Sequence, residues 1–381
     1  MTQRPIVGIV GAGQLARMTQ QAAIPLGVDL CVLAESPEDS AAQVIPGVFL
    51  GDYRSLDDLR RFAKNADVIT FDHELPDPEH LAALAHEGRL LRPSPLSKRF
   101  AQDKSHQRRM LALRGFAVPP FADVTEVGQV EAFADANGWP VVLKAPRGGY
   151  DGRGVHVVAD AAQAHEALAL SDGPLLVEAK VPLARELAVL VARRPAGRAV
   201  AWPVTETVQV DGILRELVVP APIGPARRDE ALRLGARIAE AIELAGVMAV
   251  ELFDTGDRLL INELACRPHN SGHWTIDASA TSQFSNHLRA VLDWPLGDTT
   301  PLAAAIVTVN VLGRADGSDP ADGLTAALSD PAVAVHLYGK EARPGRKLGH
   351  VTALGDDADE VRERARAAAA ALGEPLDEEM P

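Results

Sequence analysis

The amino-acid sequence predicts an α/β protein, α+β overall, that begins with an open layer of parallel strands and helices. Strand-like runs alternate with helical segments over about the first 100 residues. The pattern then changes to short strands around a second glycine-rich loop, and the chain approaches its end with an Ala/Arg-rich helix. At 381 residues the chain has room for two or three domains of roughly 150 residues each.

The first elements follow one another as strand, helix and strand. Apolar runs at 5–10 and 28–33 predict buried strands, and residues 14–27 predict the helix between them. A later strand at 67–71 keeps the same rhythm, and the Arg-Pro-Ser-Pro segment at 92–95 ends the layer. We therefore expect one open sheet before residue 100.

Three helices are predicted beyond that layer, at 98–114, 229–245 and 356–372. The first is rich in charge, and the last combines alanines with arginines and acids, which is typical of a solvated helix.

Composition limits the classes of function. A net charge of −14 disfavours a nucleic-acid partner, and 47% apolar residues are enough for a globular core. The cysteines, Cys31 and Cys266, are too few for a disulfide framework, so a reducing cytoplasm is the expected setting. No apolar run reaches about 18 residues, so we expect no membrane span. An acidic protein that binds an anionic metabolite needs a local basic pocket.

Two acidic residues lie on a predicted β-hairpin. Strand-like runs at 247–253 and 258–264 flank Thr-Gly-Asp at 255–257, a typical short hairpin loop. With that three-residue loop, Glu251 and Glu263 would lie on one face as diagonal neighbours. Buried together, they would need a cation.

Asn262 adds an amide oxygen beside these carboxylates, and oxygen ligands of this kind suit Mg²⁺. The structural alternative is an exposed acidic hairpin face. The polar residues that follow favour a site instead: Arg267, His269, Asn270, Ser271 and His273.

A first glycine loop, Gly11-Ala-Gly-Gln-Leu-Ala16, follows a predicted strand and begins a helix, and Glu35 ends the next strand. This matches the dinucleotide fingerprint and taken alone indicates NAD. The amino end of such a helix binds any phosphate or carboxylate, so the ligand stays open. Gln14 could direct a polar side chain at it.

A second glycine loop spans residues 147–154 between two strands, and Lys144 lies on the first of them. A glycine loop can cover phosphates while a strand lysine neutralises them. The alternative is a plain hairpin whose lysine extends to solvent. Together with Glu251 and Glu263, the loop predicts an ATP·Mg site.

Five segments resemble the ATP-grasp superfamily, and specifically its N5-carboxyaminoimidazole ribonucleotide synthetases. They are Gly11–Met18, Thr70–Glu74, Gly149–Gly154, Asn262–Thr275 and Tyr338–His350, and the last two are long and specific. The resemblance covers nearly the whole chain. It implies an ATP-grasp fold with an N-terminal Rossmann-like domain, in a homodimer. It also implies carboxylation of 5-aminoimidazole ribonucleotide with MgATP and bicarbonate, giving ADP and phosphate, in purine biosynthesis.

The resemblance implies a role for each matching residue. ATP is expected to contact Arg92, Lys144, the lid residues Gly149, Tyr150, Asp151, Gly152, Arg153, Gly154 and Val155, the adenine-pocket residues Glu178, Ala179, Lys180 and Val181, the ribose partner Glu186, and Gln209, Asn262 and Glu263. The ribonucleotide and bicarbonate are expected at Gln14, Glu74, Asp151, Arg267, His269, Asn270, Lys340 and Arg346. Catalytic roles fall on Arg267, His269, Lys144 and Asp151, and Mg²⁺ on Glu251 and Glu263.

The expected division is a Rossmann-like domain at 1–103, an ATP-grasp domain at 104–297 with a lid at about 118–182, and a small C-terminal domain at 298–381.

The sequence departs from the family at several positions. Thr207 and Gln209 stand where Asn and His are usual, Arg108 replaces a Lys, Ala179 replaces a Glu, Asp72 replaces a Glu and Cys266 replaces a Pro. Three alternatives stay open: a sister ATP-grasp ligase acting on another ribonucleotide, an NAD-dependent oxidoreductase, and a nucleotide-binding regulator without activity.

Overall fold

The N-terminal sheet is parallel and open, as predicted. The computed structural model describes residues 4–148, 154–171 and 173–376. Its first strands are β1 (Ile6–Val10), β2 (Asp29–Ala34), β3 (Gly47–Leu50) and β4 (Val68–Phe71), in the order β3-β2-β1-β4. Helices α1 (Gln14–Leu26), α2 (Leu56–Ala63) and α3 (Pro78–His86) connect or flank them. The carboxyl ends of β1 and β4 therefore meet beside the start of α1.

The predicted helix at 98–114 is wrong as a single element. It is two helices, α4 (Pro95–Gln102) and α5 (Lys104–Leu113), separated by Asp103. Asp103 has extended backbone, with φ −135° and ψ 105°, and its carboxylate accepts a hydrogen bond from the N–H of His106 at 2.8 Å. Aspartate side chains compete with helical hydrogen bonds in this way and favour a new helix start.

A second, antiparallel sheet follows. Its strands are β5 (Phe121–Val124), β6 (Val141–Lys144), β7 (Val155–Val158) and β8 (Leu175–Ala179), in the order β5-β8-β6-β7. Helices α6 (Val127–Asn137) and α7 (Ala161–Ala169) accompany it. The strand, glycine loop and strand predicted around residue 150 are thus confirmed for the described residues on both sides of the loop.

The largest sheet has nine strands. They are β9 (Arg185–Arg193), β10 (Val200–Ala201), β11 (Thr205–Val210), β12 (Ile213–Val219), β13 (Gly246–Asp254), β14 (Leu259–Ala265), β15 (Ala305–Leu312), β16 (Val333–Leu337) and β17 (Lys347–Gly355). Their order is β14-β13-β9-β11-β12-β15-β17-β16, with β10 on β9. Since β12 pairs with β15, one sheet continues from the central part of the chain into its last third.

The remaining helices are α8 (Pro225–Ala241), α9 (Thr275–Ala278), α10 (Gln283–Val291), α11 (Leu324–Ala327) and α12 (Ala358–Leu372), with 3-10 helices at Asn270–Gly272 and Pro320–Gly323. The helix predicted at 229–245 begins four residues earlier, because Pro225 suits a first helical position. Among the described residues, no helix is long and apolar enough to cross a membrane.

The carboxylate hairpin is confirmed, but its predicted register is wrong. Asp254 pairs with Leu259, so the loop has four residues, and the register shifts after Glu251. This bulge places Glu251 directly opposite Glu263, where a diagonal relation was expected. Side chains of directly opposed residues lie closest together on one face of an antiparallel pair. The bulge thus tightens the acidic pair.

Candidate active site

Glu251 and Glu263 form the acidic centre of the site. Burial, with repulsion from Glu263, raises the pKa of Glu251 to about 7. The Lys104 ammonium lies 2.8 Å from Glu263 Oε1, and Asn262 Nδ2 donates to Glu251 Oε2 at 3.5 Å. Opposed carboxylates with a neighbouring amide oxygen are the oxygen-rich donor set that a hard divalent cation takes. The residues present therefore fit Mg²⁺.

Lys144 lies at the end of β6 in a buried ion network. Its ammonium is 2.6 Å from Glu178 Oε2 and donates to Asn262 Oδ1 at 3.3 Å. Arg108 pairs with the other carboxylate oxygen of Glu178. Burial lowers the pKa of Lys144, while Glu178 opposes that shift. The network holds a lysine in place beside the acidic pair through Asn262.

Glu178 has a different environment from the one expected of an adenine-pocket side chain. Burial raises its pKa, but Arg108 and Lys144 outweigh that effect and the net pKa is lowered. Both carboxylate oxygens are engaged by these cations, so the side chain belongs to the ion network. Of its neighbours, Ala179 is half-buried and Lys180 exposed.

Glu186 and Gln209 meet across adjacent strands β9 and β11. The Gln209 amide donates to Glu186 Oε2 at 2.8 Å, and burial raises the pKa of Glu186. Glu186 is paired with Phe253 in the neighbouring strand, two residues from Glu251. The structure thus brings this predicted nucleotide pair to the strand that carries the acidic centre.

Arg267 links the central sheet to the N-terminal sheet. Its Nε lies 3.5 Å from Glu74 Oε1, and Glu74 also pairs with the fully buried Lys98. Lys98 donates to the carbonyl of His73 at 2.9 Å. Burial lowers the pKa of Lys98, and Glu74 opposes the shift. Two predicted substrate residues from separate sheets, Glu74 and Arg267, are therefore adjacent.

His269 contacts the acidic centre. Its Nε2 is 3.5 Å from Glu251 Oε1. Burial, then the positive charges of Arg267 and Lys347, lowers the pKa of His269 to about 3. Beside it, both polar atoms of the Asn270 side-chain amide are buried without a hydrogen-bond partner among the described residues. That amide is available to a ligand.

A cavity of about 450 Å³ opens between the first glycine loop and residues 339–346. Lys340 donates to the side-chain oxygen of Gln14, which is 326 positions away in sequence. Arg346 Nη1 donates to the carbonyl of Glu341 at 3.0 Å. The lining thus brings Lys340 and Arg346 beside the start of α1, as the expected basic residues. The same lining also holds acidic side chains: Glu35, Glu38, Asp39, Asp72 and Glu341.

The first glycine loop is closed by a carboxylate. Asp72 accepts hydrogen bonds from the N–H groups of Gly13 at 2.6 Å and Ala16 at 2.9 Å. A side-chain carbon on Gly13 would collide with Asp72 Oδ2. Glu35, the expected ribose partner of NAD, pairs with Arg54 at 2.8 Å. Because Asp72 takes the place of a pyrophosphate, the dehydrogenase alternative is disfavoured.

Other predicted residues lie apart from this cluster or outside the described chain. Arg92 Nη1 donates to the carbonyl of Val291, at the end of α10, at 2.7 Å. The contact of Arg92 with an ATP phosphate stays a prediction. Gly154 and Val155 border the second loop, where Val155 pairs with Lys144. Gly149, Tyr150, Asp151, Gly152 and Arg153 lie outside the described residues.

Sequence reasoning missed Lys104 and the closing role of Asp72. Lys104 is the first residue of α5, and its N–H donates to the carbonyl of Pro146 at 2.9 Å, just before the second glycine loop. No local motif marks it, because its position depends on the helix break at Asp103. Its contact with Glu263 adds a second lysine to the site.

Family models match three parts of the chain. They are described as the ribonucleotide synthetase preATP-grasp domain at residues 5–102, the ATP-grasp domain at 109–284, and the phosphoribosylaminoimidazole carboxylase C-terminal domain at 306–364. The three matches follow one another along the chain and together span the sheets described above.

Curated relatives of high identity carry the name N5-carboxyaminoimidazole ribonucleotide synthase. An N5-carboxyaminoimidazole ribonucleotide synthase of Mycobacterium bovis is 49% identical over 375 residues, which cover 96% of this chain and 87% of the relative. The Corynebacterium ammoniagenes enzyme of that name is 44% identical, with 96% and 91% covered.

Solved structures agree. The N5-carboxyaminoimidazole ribonucleotide synthetase of Thermus thermophilus superposes with a TM-score of 0.88 at 37% identity, covering 98% of this chain and 100% of that one. The N5-carboxyaminoimidazole synthase of Aspergillus clavatus, in complex with ADP and 5-aminoimidazole ribonucleotide, gives 0.88 at 31% identity, with 98% and 99% covered.

Proposed function

The chain belongs to the family of N5-carboxyaminoimidazole ribonucleotide synthases, and we propose that it catalyses the reaction this name describes. In that reaction ATP and bicarbonate carboxylate the amine of 5-aminoimidazole ribonucleotide, giving ADP and phosphate, in purine biosynthesis. One observation carries the proposal: a continuous series of contacts runs from Lys144 through Asn262 and Glu251 to His269. Such a series can hold a phosphoryl donor beside a small anion.

In the first step, bicarbonate attacks the γ-phosphate of ATP and ADP leaves, giving carboxyphosphate. Lys144 stabilises charge on the transferring group, an effect of positioning and electrostatics. The ion pair with Glu178 keeps its ammonium directed at the site. Glu186 and Gln209 would meet the nucleotide on its ribose side.

Mg²⁺ would be held by Glu251 and Glu263, with Asn262 beside them. When bound, it would supply charge neutralisation for the ATP phosphates. The support is that Glu251 lies directly opposite Glu263 on neighbouring strands, where burial and repulsion from Glu263 raise the pKa of Glu251.

In the second step, the amine of the ribonucleotide attacks the carbon of carboxyphosphate and phosphate leaves. Arg267 and His269 would orient the bicarbonate-derived oxygens. Lys340 and Arg346 would bind the substrate phosphate, because hydrogen bonds between a cationic side chain and a phosphate are strong. Residues 149–155 would close over the site and exclude water, and Asp151 would contact substrate from that lid.

We also propose a homodimer in the cytoplasm. The dimer is supported by the family resemblance. A reducing compartment is supported by Cys31 and Cys266, which are both buried and free. Sedimentation or light scattering of the purified chain tests the first part.

Phosphate release from ATP tests the whole proposal. We expect release that requires both bicarbonate and 5-aminoimidazole ribonucleotide, with carboxylated product in equal amount. Formate in place of bicarbonate is the control for a sister ligase, and product formation with formate alone would favour that alternative. ATP binding without any turnover would favour the inactive regulator.

A further inference from the structure

The proton on the His269 ring is assigned by a backbone contact. His269 immediately precedes the 3-10 helix Asn270–Gly272, and the N–H of Ser271 donates to its Nδ1 at 3.3 Å. The Ser271 hydroxyl lies 2.9 Å from the same nitrogen. A backbone amide nitrogen only donates, so Nδ1 is an acceptor and carries no proton. The neutral ring therefore has its proton on Nε2.

That Nε2 faces the reaction site. It lies 3.5 Å from Glu251 Oε1, and Arg267 is two residues before it in the chain. With Nδ1 turned to Ser271, the donor nitrogen is the one available to a ligand beside the acidic centre.

Gln283 fixes the backbone that carries this ring. Its side-chain oxygen accepts from the His269 N–H at 2.8 Å, and its Nε2 donates to the His269 carbonyl at 2.7 Å. Gln283 is fully buried. A side-chain carbon on Gly272 would come within 2.6 Å of the Gln283 oxygen, which shows how closely the turn packs on it. The Gln283 side-chain amide thus hydrogen-bonds to both the N–H and the carbonyl of His269, as the backbone of a neighbouring strand would.

We propose that His269 acts as a fixed Nε2–H hydrogen-bond donor to an oxygen of bicarbonate or carboxyphosphate, and that Ser271 and Gln283 are positioning residues which set its tautomer and place. The inference rests on the proposed function and deepens it. His269 does not collect the amine proton, because Nε2 already holds one and Nδ1 is occupied by Ser271. When the amine forms its bond to carbon and the carbon–oxygen bond to phosphate breaks, the proton leaves with the phosphate.

Two substitutions of His269 separate a donor from a base. A Gln side chain places an amide N–H near the position of imidazole Nε2, whereas Asn places its amide near Nδ1. We expect His269→Gln to keep kcat within about tenfold of wild type and His269→Asn to lose about a hundredfold or more, the usual effect of losing one such donor. His86→Gln, on the exposed surface of α3, is the matched control. Higher activity in His269→Asn than in His269→Gln would overturn the proposal.

Nitrogen-15 NMR of the histidine rings gives a readout that needs no turnover. The ring signals that disappear in His269→Gln belong to His269. In the wild type these signals should show a protonated Nε2 and an unprotonated Nδ1. An Nδ1–H tautomer or an imidazolium at neutral pH would overturn the assignment. If wild type shows the expected tautomer but no bicarbonate-dependent turnover, the proposed function fails while the ring assignment stands.

Ser271 provides the second variant pair. Ser271→Ala keeps the backbone donor, so the tautomer should persist while kcat falls a few-fold, and Ser271→Thr should restore kcat. The KM for ATP should stay unchanged in both, since Ser271 acts through His269. A change of the ATP KM with kcat unchanged in Ser271→Ala would contradict its positioning role.

Discussion

The two glycine loops look alike in sequence and differ in what lies beside them. At the first loop, the carboxylate of Asp72 caps Gly13 and Ala16. At the second, the described flanks lie on strands β6 and β7, and the ammonium of Lys144 stands at the end of β6. The Asp72 carboxylate thus already occupies the N–H groups at the first loop, whereas Lys144 supplies a positive charge beside the second. We therefore expect ATP phosphates only at the second loop.

The largest expected effect comes from removing a charge of the acidic pair beside the second loop. Glu263→Gln should lower kcat by more than about a hundredfold. Substitution of an outer-shell partner of a metal already lowers metal affinity or activity by about 10- to 100-fold, and Glu263 would be a direct ligand. Phosphate release at saturating ATP measures this. Glu240→Gln, on the exposed face of α8, is the control. Near-normal turnover of Glu263→Gln at low millimolar Mg²⁺ would remove the metal assignment.

The next largest effect concerns the cavity at the first loop. Lys340→Ala should raise the KM for the ribonucleotide about ten- to hundredfold, since a hydrogen bond to a charged group contributes roughly 1.5–3 kcal/mol. The KM for ATP should stay constant, and Lys64→Ala on the surface of the N-terminal region is the control. A shift in the ATP KM instead would mean that the two loops share one ligand.

The pH dependence of metal binding follows from Glu251. Its pKa is raised to about 7, so a proton competes with the metal below that pH. Affinity for Mn²⁺, followed by electron paramagnetic resonance without nucleotide, should fall about tenfold per pH unit below 7 and level off above it. The folding stability of the metal-free protein has the opposite pH dependence and falls as pH rises. A raised carboxyl pKa contributes stability that is complete below the unfolded value of about 4.3 and is lost as pH rises through 7.

A constant Mn²⁺ affinity between about pH 5.5 and 8 would contradict this linkage. The same titration on Glu240→Gln, on the exposed face of α8, is the control and should reproduce the pH dependence of the wild type.

A smaller effect is expected from Asp72, whose role is structural. Asp72→Asn exchanges one acceptor oxygen for an amide that cannot accept from Gly13, and loss of a helix cap costs about 0.5–2 kcal/mol of unfolding free energy. Urea denaturation measures it. The ATP KM should not change, and NADH should not bind. NADH binding to the wild type would contradict the interpretation of a closed loop.

The sequence predicted the open sheet and the acidic hairpin because both follow from local periodicity. It did not predict that Glu251 and Glu263 are directly opposed, because the bulge that opposes them depends on pairing across the sheet. Lys104 was missed since the helix break at Asp103 was not foreseen. The contact between Asp72 and Gly13 joins residues 59 positions apart, and the parallel pairing of β1 with β4 brings them together.

The smallest expected effect is at Gln209, on the nucleotide side of the second loop, where the family usually has a histidine. The Gln209 amide donates to Glu186 at 2.8 Å and carries no titrating proton. A histidine can make the same hydrogen bond but titrates near a reference pKa of about 6.5. Gln209→His should therefore keep kcat within a few-fold at pH 8 and give the ATP KM a pH dependence that the ribonucleotide KM lacks. If kcat collapsed while ATP still bound, Gln209 would have a part in the chemistry beyond holding Glu186, and the nucleotide would contact the second loop differently from the arrangement proposed above.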